Sequence, residues 1–457
     1  MAGRVRKGKA PPRRSQQDLH VINAHAAGVD IGSRSHFVAV PPGSDAEQVR
    51  EFATVTSGLH ALADWLQRCG VTTVAMESTG VYWIPLYDLL AERGFEVLLV
   101  NAHHIKGVPG RKSDVLDCQW LQQLHACGLL RGSFRPDADF LELRTYLRHR
   151  GSLIDTRSSL VQQMQKALTL SNVQLHLAVT DITGATGMRI IRDIIAGNHD
   201  PDSLAQHRDF RCRASVREIA EALRGEYRDE HLFLLRHAVE LYDVYGTKLA
   251  ECDHVIERLL HRVVLDHCAT VQRPPLPKPA KKPQRRAKEA QFDVRGPLYQ
   301  LVGVDLTAIP GLNELSALQL IGEIGIDMAR WPTADHFVSW TTLAPTCRIT
   351  GGKAKPSHRP ASAHRVAKIL RMAAMNAGRT TTAFGGFYRR LAMRAGKSKA
   401  IVALAAKLAR TIYAMLRNQT AFKDGGAAAY EERYRARLVR NLERRAQDLG
   451  YRLLPAA

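Results

Sequence analysis

No stretch of about 18 uninterrupted apolar residues occurs in the 457-residue chain, which argues against a membrane-spanning helix. Cysteine is sparse and scattered. The seven, Cys69, Cys118, Cys127, Cys212, Cys252, Cys268 and Cys347, are odd in number and include no close C-x-x-C pair. That pattern excludes a zinc knuckle and a disulfide framework and fits a reducing cytosol. Acids are missing from the first fourteen residues, where Arg4, Arg6, Lys7, Lys9, Arg13 and Arg14 stand with no apolar run behind them. A secretory signal is therefore not expected, and the segment reads as a solvated tail that attracts phosphate non-specifically. No zinc-finger or homeodomain signature is present.

Acids are outnumbered along the whole chain, 44 Asp plus Glu against 65 Lys plus Arg, for a formal charge of +21. A charge of that size repels itself unless a polyanion offsets it, so nucleic acid is the expected partner. A membrane surface is the competing polyanion, but no lipid-anchor signal accompanies the basic runs. The apolar share of 45% is ordinary for folded protein, and the length suits about two to four domains.

After a tail over residues 1–23, the pattern over 24–136 is that of a layered α/β domain. Gly28–Gly32 and His36–Val40 read as strands, Glu51–Thr56 as a third, Leu59–Gln67 as an amphipathic helix and Val71–Met76 as a buried strand. Val81–Glu92 returns to helix, Phe95–Val100 to strand, and Ser113–Ala126 to a helix with Ser113 at its N-cap. Two long helical runs, Asp137–Thr169 and Tyr227–Val264, predict an antiparallel coiled-coil arm or intersubunit bundle within residues 137–270. Five prolines and seven cations between 271 and 290 mark a basic linker, bounded at 271–296. A last unit, 297–422, opens on Ile309-Pro-Gly-Leu312 and Ser316–Gly325, whose small residues permit the close backbone approach of a helix-hairpin-helix element. Helices are expected at Val366–Ala377 and Lys397–Leu416, and residues 423–457 form a charged helical tail.

Four acids stand out. Asp30 lies in the first strand, Glu77 ends the fourth strand, and Asp114 and Asp117 lie three apart at the start of a helix, on one face. Carboxylates packed together raise one another's proton affinity, so a bound cation is their natural neutraliser. Hard oxygen ligands make Mg2+ the default, and a two-ion site needs several of them from different parts of a fold. Singly, each acid is as well explained as a cap or a solvated residue.

Three motifs, Gly28-Val-Asp30-Ile-Gly32, Met76-Glu77-Ser-Thr-Gly80-Val-Tyr82-Trp83 and Lys112-Ser-Asp114-Val-Leu-Asp117, resemble those of the DEDD transposases of bacterial insertion sequences. This is the IS one-ten family of bridge-RNA-guided recombinases, and the resemblance extends over most of residues 24 to 422. It implies an RNase H-like (RuvC-like) N-terminal domain with Asp30, Glu77, Asp114 and Asp117 on its four acidic positions. It also implies a helical coiled-coil arm and a mainly helical C-terminal transposase domain. A second signature, Phe337-Val-Ser339-Trp340, Leu343-Ala-Pro345 and Arg348-Ile-Thr350-Gly351-Gly352-Lys353, implies a hydroxyl that attacks the DNA phosphodiester and becomes covalently attached. The family's serine before glycine is replaced here by Thr350, whose methyl group restricts rotation but whose hydroxyl can still attack. Ser357 and Ser339 are the alternative hydroxyls, and Thr350 also reads as a plain turn residue beside two glycines.

Around that loop Arg348, Lys353, Lys355, Arg359, Arg365 and Lys368 are candidate phosphate contacts, and Lys397, Lys399 and Lys407 extend the same bias. The resemblance further implies donor and target double-stranded DNA, a structured noncoding bridge RNA and a homodimer that assembles into a tetramer. The expected location is cytoplasmic, at the bacterial nucleoid during recombination. A hydrolytic Holliday-junction-type endonuclease and a non-enzymatic nucleic-acid organiser are the competing readings.

Overall fold

A computed structural model describes residues 20–78, 80–101, 113–268, 273–276, 289–351, 353–358 and 364–454. The chain divides into two compact units, Met1–Arg135 and Pro136–Ala457.

The first unit is built on five strands: β1 (Ala26–Ile31), β2 (Ser35–Ala39), β3 (Val49–Ala53), β4 (Thr73–Glu77) and β5 (Glu96–Val100). Their order in the sheet is β3-β2-β1-β4-β5. The β1–β2 and β2–β3 pairs are antiparallel, as hairpin-linked strands can be, whereas β1–β4 and β4–β5 are parallel and are joined through helices. Helices α1 (Thr56–Arg68) and α2 (Trp83–Glu92) supply those crossovers. One face of the sheet, with Ala27, Val29, Ile31, Val74 and Met76, buries against Leu62, Trp65, Leu66, Leu86 and Leu90 of these helices. Helix α3 (Asp114–Ala126) covers the other face, where Leu121 joins Ala75 and Val100. Both central strands are therefore buried on both sides, which is why they read as apolar runs and not as alternation.

The second unit is mainly helical. Helices α4 (Ala138–Leu170, 33 residues) and α9 (Asp229–Cys268, 40 residues) run antiparallel, with Arg262 paired to Glu142 near one end and Arg157 stacked 4.0 Å over the Tyr242 ring near the other. Midway, Arg150 and Asp253 form an ion pair with side-chain exposures of only 1% and 6%. Removing two charges from water is costly, and the carboxylate offsets that cost only because it answers the guanidinium directly, with Arg150 Nη2 donating to Asp253 Oδ2 at 3.2 Å. Between the long helices lie four short ones, α5 (Leu175–Ala178), α6 (Ala185–Ile195), α7 (Pro201–Ala205) and α8 (Val216–Ala222). They close a separate apolar core with Leu160, Met164, Leu235 and Tyr242 of the long pair.

The remainder holds α10 (Arg295–Val302), α11 (Glu314–Ile324), α12 (Ala334–Trp340), α13 (Arg365–Ala377), α14 (Ala383–Ala395), α15 (Lys397–Asn418) and α16 (Gly426–Asp448). A two-stranded hairpin, β6 (Thr346–Thr350) with β7 (Lys353–His358), interrupts them. Helix α11 is capped by Asn313, whose Oδ1 accepts from Ser316 N at 2.8 Å. The close approach expected of the Pro-Gly turn before it is real, and it is made to another helix: a methyl at Gly311 would collide with Ala373 O on α13. Among the described residues no helix is long and apolar enough to cross a membrane.

Candidate active site

Parallel pairing fixes the first two acids. Val29 of β1 is in register with Met76 of β4, so the next residues, Asp30 and Glu77, fall side by side at the carboxyl ends of neighbouring central strands. Both are half-buried and lie on the face opposite Val29 and Met76, the face that α3 covers.

Helix α3 runs antiparallel to β1 and β4, and its anchors are spaced to match the strands. His125 Nε2 lies 2.9 Å from Thr73 Oγ1, Gln122 Nε2 donates to Ala26 O at 3.1 Å, and Leu121 packs on Ala75. Four helical residues advance about 6 Å and two strand residues about 6.6 Å, so each helical turn keeps step with one alternation of the strand. Asp117 lies one turn of α3 before Leu121, on the side of the carboxyl ends of the strands. Burial pushes the Cys118 thiol up to about 12, and the negative charges of Asp30 and then Asp117 add to the rise. Asp117 is half-buried, whereas Asp114, one turn earlier, is exposed on the first turn of α3. Ser113 caps this end, its Oγ accepting from Leu116 N at 3.3 Å, and the positive end of the helix dipole favours both acids.

Among the described residues, no group of three or more His, Cys, Asp or Glu side chains is arranged to hold a metal ion. The structure thus sets Asp30 beside Glu77 and leaves Asp30 and Asp117 within electrostatic reach of the Cys118 thiol, and among the described residues it does not gather the four carboxylates into a closed cage. As a donor set, hard carboxylate oxygens at strand ends and at a helix start are the chemistry that a magnesium-type ion takes.

Gly28 sets how closely α3 approaches. A methyl there would collide with Gln122 N and Cys118 O of the α3 backbone. Because backbone cannot move aside as a side chain does, Gly28→Ala is expected to push α3 off the sheet and cost about 1–3 kcal/mol or more. Chemical denaturation should show the loss, and any DNA cleavage should fall further than stability alone explains, because Asp117 moves with the helix. A variant with unchanged midpoint would show that the approach of α3 is not set by Gly28.

Beyond Glu77 the chain turns through Gly80, at φ +57°, and Trp83 Nε1 donates to Gly80 O at 3.2 Å. Val81 and Tyr82 are exposed at this rim. Arg135 lies 4.0 Å over the Tyr87 ring and pairs with Asp88, which fixes the end of the unit against α2.

Thr350 belongs to the second unit, where it ends β6 and pairs with Lys353. Only residues 351 and 352 connect the strands, and Gly351 has φ +58°, a conformation that favours glycine. Arg348 is in register with Lys355, so positions 348, 350, 353 and 355 share one face of the ribbon. A hairpin here was not anticipated, although two glycines between short runs are a recognised hairpin signal. Ser357 lies in β7, Ser339 is exposed on α12, and Arg359 is outside the described residues. Arg365 and Lys368 are exposed one turn apart on α13, and Lys397 and Lys399 are exposed on the first turn of α15. Lys407 is half-buried, with its Nζ 4.7 Å from the Phe387 ring centroid and 5.3 Å from that of Tyr430.

Comparison with known proteins first gives the class. Residues 27–172 match a family described as "Transposase", and residues 305–389 match one described as "Transposase IS116/IS110/IS902 family". Together the two spans cover half of the chain and include Asp30, Glu77, Asp114, Asp117 and Thr350. A 43.6 kDa protein of insertion element IS110 from Streptomyces coelicolor is 31% identical over 152 residues, an alignment spanning 32% of this chain and 36% of that relative. The chain belongs to the IS110/IS116/IS902 family of DEDD-type insertion-sequence transposases.

Proposed function

We propose that this chain is an RNA-guided DNA recombinase of an insertion sequence, which breaks and rejoins DNA through a covalent protein–DNA intermediate. The observation that carries the reading is the side-by-side placement of Asp30 and Glu77 at the ends of two central parallel strands, on the face covered by the helix that carries Asp117. Within an RNase H-like domain, these three and Asp114 would hold Mg2+. Bound there, the ion would supply positive charge to the transferring phosphate and lower the proton affinity of an attacking hydroxyl.

The chain's own part is nucleophile and positioning. The Thr350 oxygen forms a bond to phosphorus while the bond to a deoxyribose oxygen breaks. That oxygen leaves as a hydroxyl once it gains the proton given up by threonine, and an exchanged end then attacks the threonyl phosphodiester and restores Thr350. Arg348, Lys353 and Lys355 on the hairpin, Arg359, and Arg365 and Lys368 on α13 would hold flanking phosphates. Donor and target duplexes, a structured noncoding RNA that pairs with both, and a dimer that assembles into a tetramer complete the proposal, in the cytoplasm at the nucleoid. An RNA guide would supply sequence reading by base pairing, in place of the zinc-finger or homeodomain signature that the sequence does not show.

The test is a denaturing gel of suicide DNA substrates incubated with protein and its co-purified RNA, with Mg2+ or with chelator. A protein-linked DNA band that needs Mg2+ is the expected result. Abundant nicking without that band would assign the chain to hydrolytic nucleases, and binding without any cleavage would make it a nucleic-acid organiser.

A further inference from the structure

Helix α16 (Gly426–Asp448) lies outside both family-matched spans, and the proposed chemistry makes no use of it. Its first three turns pack on α14 through Tyr430 and Tyr434: the Tyr430 ring meets Phe387 edge-on at 6.3 Å, and Arg390 of α14 stacks on Tyr434 at 3.3 Å. From Arg435 onward nearly every residue is exposed, and no residue of the helix is buried. A lone stretch of that length is marginal in water, so a partner surface is its natural complement.

Its residues are sorted by side. At about 100° per residue, Arg433, Arg437, Arg440 and Arg444 fall within an arc of about 60° and span about 16 Å along the axis. All four are exposed, and none forms an ion pair with a described residue. Leu438, Leu442 and Leu449 lie on the opposite side and are also exposed. The cationic stripe continues onto α15, because Lys407 sits close enough to Arg433 and Arg437 for both to hold its ammonium below the usual lysine range, after burial has begun that shift. Like charges are brought together here with no described acid between them, an arrangement that an external polyanion offsets.

We propose that the arginine face of α16, with Lys407 at its root, is a second nucleic-acid surface that grips the phosphate backbone of duplex DNA outside the reacting site. Duplex DNA is the partner because its two strands carry one negative charge per about 1.7 Å of axis, a density that a row of four arginines about 16 Å long can follow without entering a groove. The contact is to backbone: four arginines in one row neutralise successive phosphates and read no sequence. It adds to the proposed recombination without depending on the carboxylates or Thr350.

The test uses the full-length chain carrying Glu77→Gln, so that cleavage does not enter. Binding to a non-target duplex is measured against salt. Each phosphate contact contributes about 0.9 to the slope of log affinity against log salt, so Arg433→Gln, Arg437→Gln, Arg440→Gln and Arg444→Gln together should lower it by about 3 to 4 units. Arg435→Gln with Arg445→Gln, which lie toward the leucine side, should lower it by less than about 1 unit. The same four positions changed to lysine should retain the slope, and this holds the charge reading apart from loss of helix, which circular dichroism checks. Equal losses in the stripe and control variants would overturn the proposal. So would a loss confined to a hairpin RNA or to phosphatidylserine vesicles, which would assign the surface to RNA or to a membrane. In none of these cases is the recombination reading affected.

Discussion

Thr350→Ala is expected to remove the covalent protein–DNA band entirely, while binding to donor and target duplexes stays within a few-fold of the parent. Loss of a nucleophile that acts in concert with its surroundings costs on the order of 10^4-fold or more in rate, because no neighbouring group takes over the bond to phosphorus. Thr350→Ser should keep the band and form it at least as fast, since serine carries the same hydroxyl without the methyl group that restricts rotation. The position suits that role. It ends β6 in register with Lys353, next to the two-residue connection, and position 348 is in register with 355. Ser357→Ala and Ser339→Ala serve as controls. If either of these abolishes the adduct and Thr350→Ala does not, the nucleophile has been misassigned. If all three variants retain it, the attacking oxygen comes from elsewhere.

Much of the first unit was legible because its elements repeat one simple pattern. The runs around Val29, Val38, Val74 and Leu99 announce buried strands, and the helix over 56–68 follows from its apolar stripe. The edge strand β3 was placed late, at Glu51–Thr56 against the observed Val49–Ala53, because it is nowhere fully buried and its residues carry no clear alternation. Helix α14 went unseen since Gly385 and Gly386 resemble a break. Packing requires the first: a methyl at Gly385 would strike Thr380 O, whereas one at Gly386 would lie 3.0 Å from the Tyr430 ring of α16, which would have to give slightly. The acids could be found as residues, but the side-by-side placement of Asp30 and Glu77 and the seating of α3 over them could not. These depend on the β1–β4 register and on the approach of α3 over Gly28, both of which are tertiary facts that single-sequence patterns do not carry.

Neutralising the acids should separate activity from stability in a way that a merely structural cluster would not. Asp30→Asn, Glu77→Gln and Asp117→Asn keep the side-chain shape and remove one charge each. Each is expected to lower DNA cleavage by several kcal/mol of lost transition-state stabilisation, on the order of 10^3-fold or more. Because these changes keep the side-chain shape, the melting temperature in chelator should change far less than the cleavage rate. Added Mg2+ should then stabilise the parent protein by mass action and leave Glu77→Gln nearly unmoved. Asp114, exposed at the helix start where Asp117 is half-buried, should show the smallest thermal response of the four. Wild-type cleavage by Asp30→Asn, or equal Mg2+ stabilisation of the parent and Glu77→Gln, would mean that these acids serve the fold alone. The two strand ends would then be a structural coincidence of register.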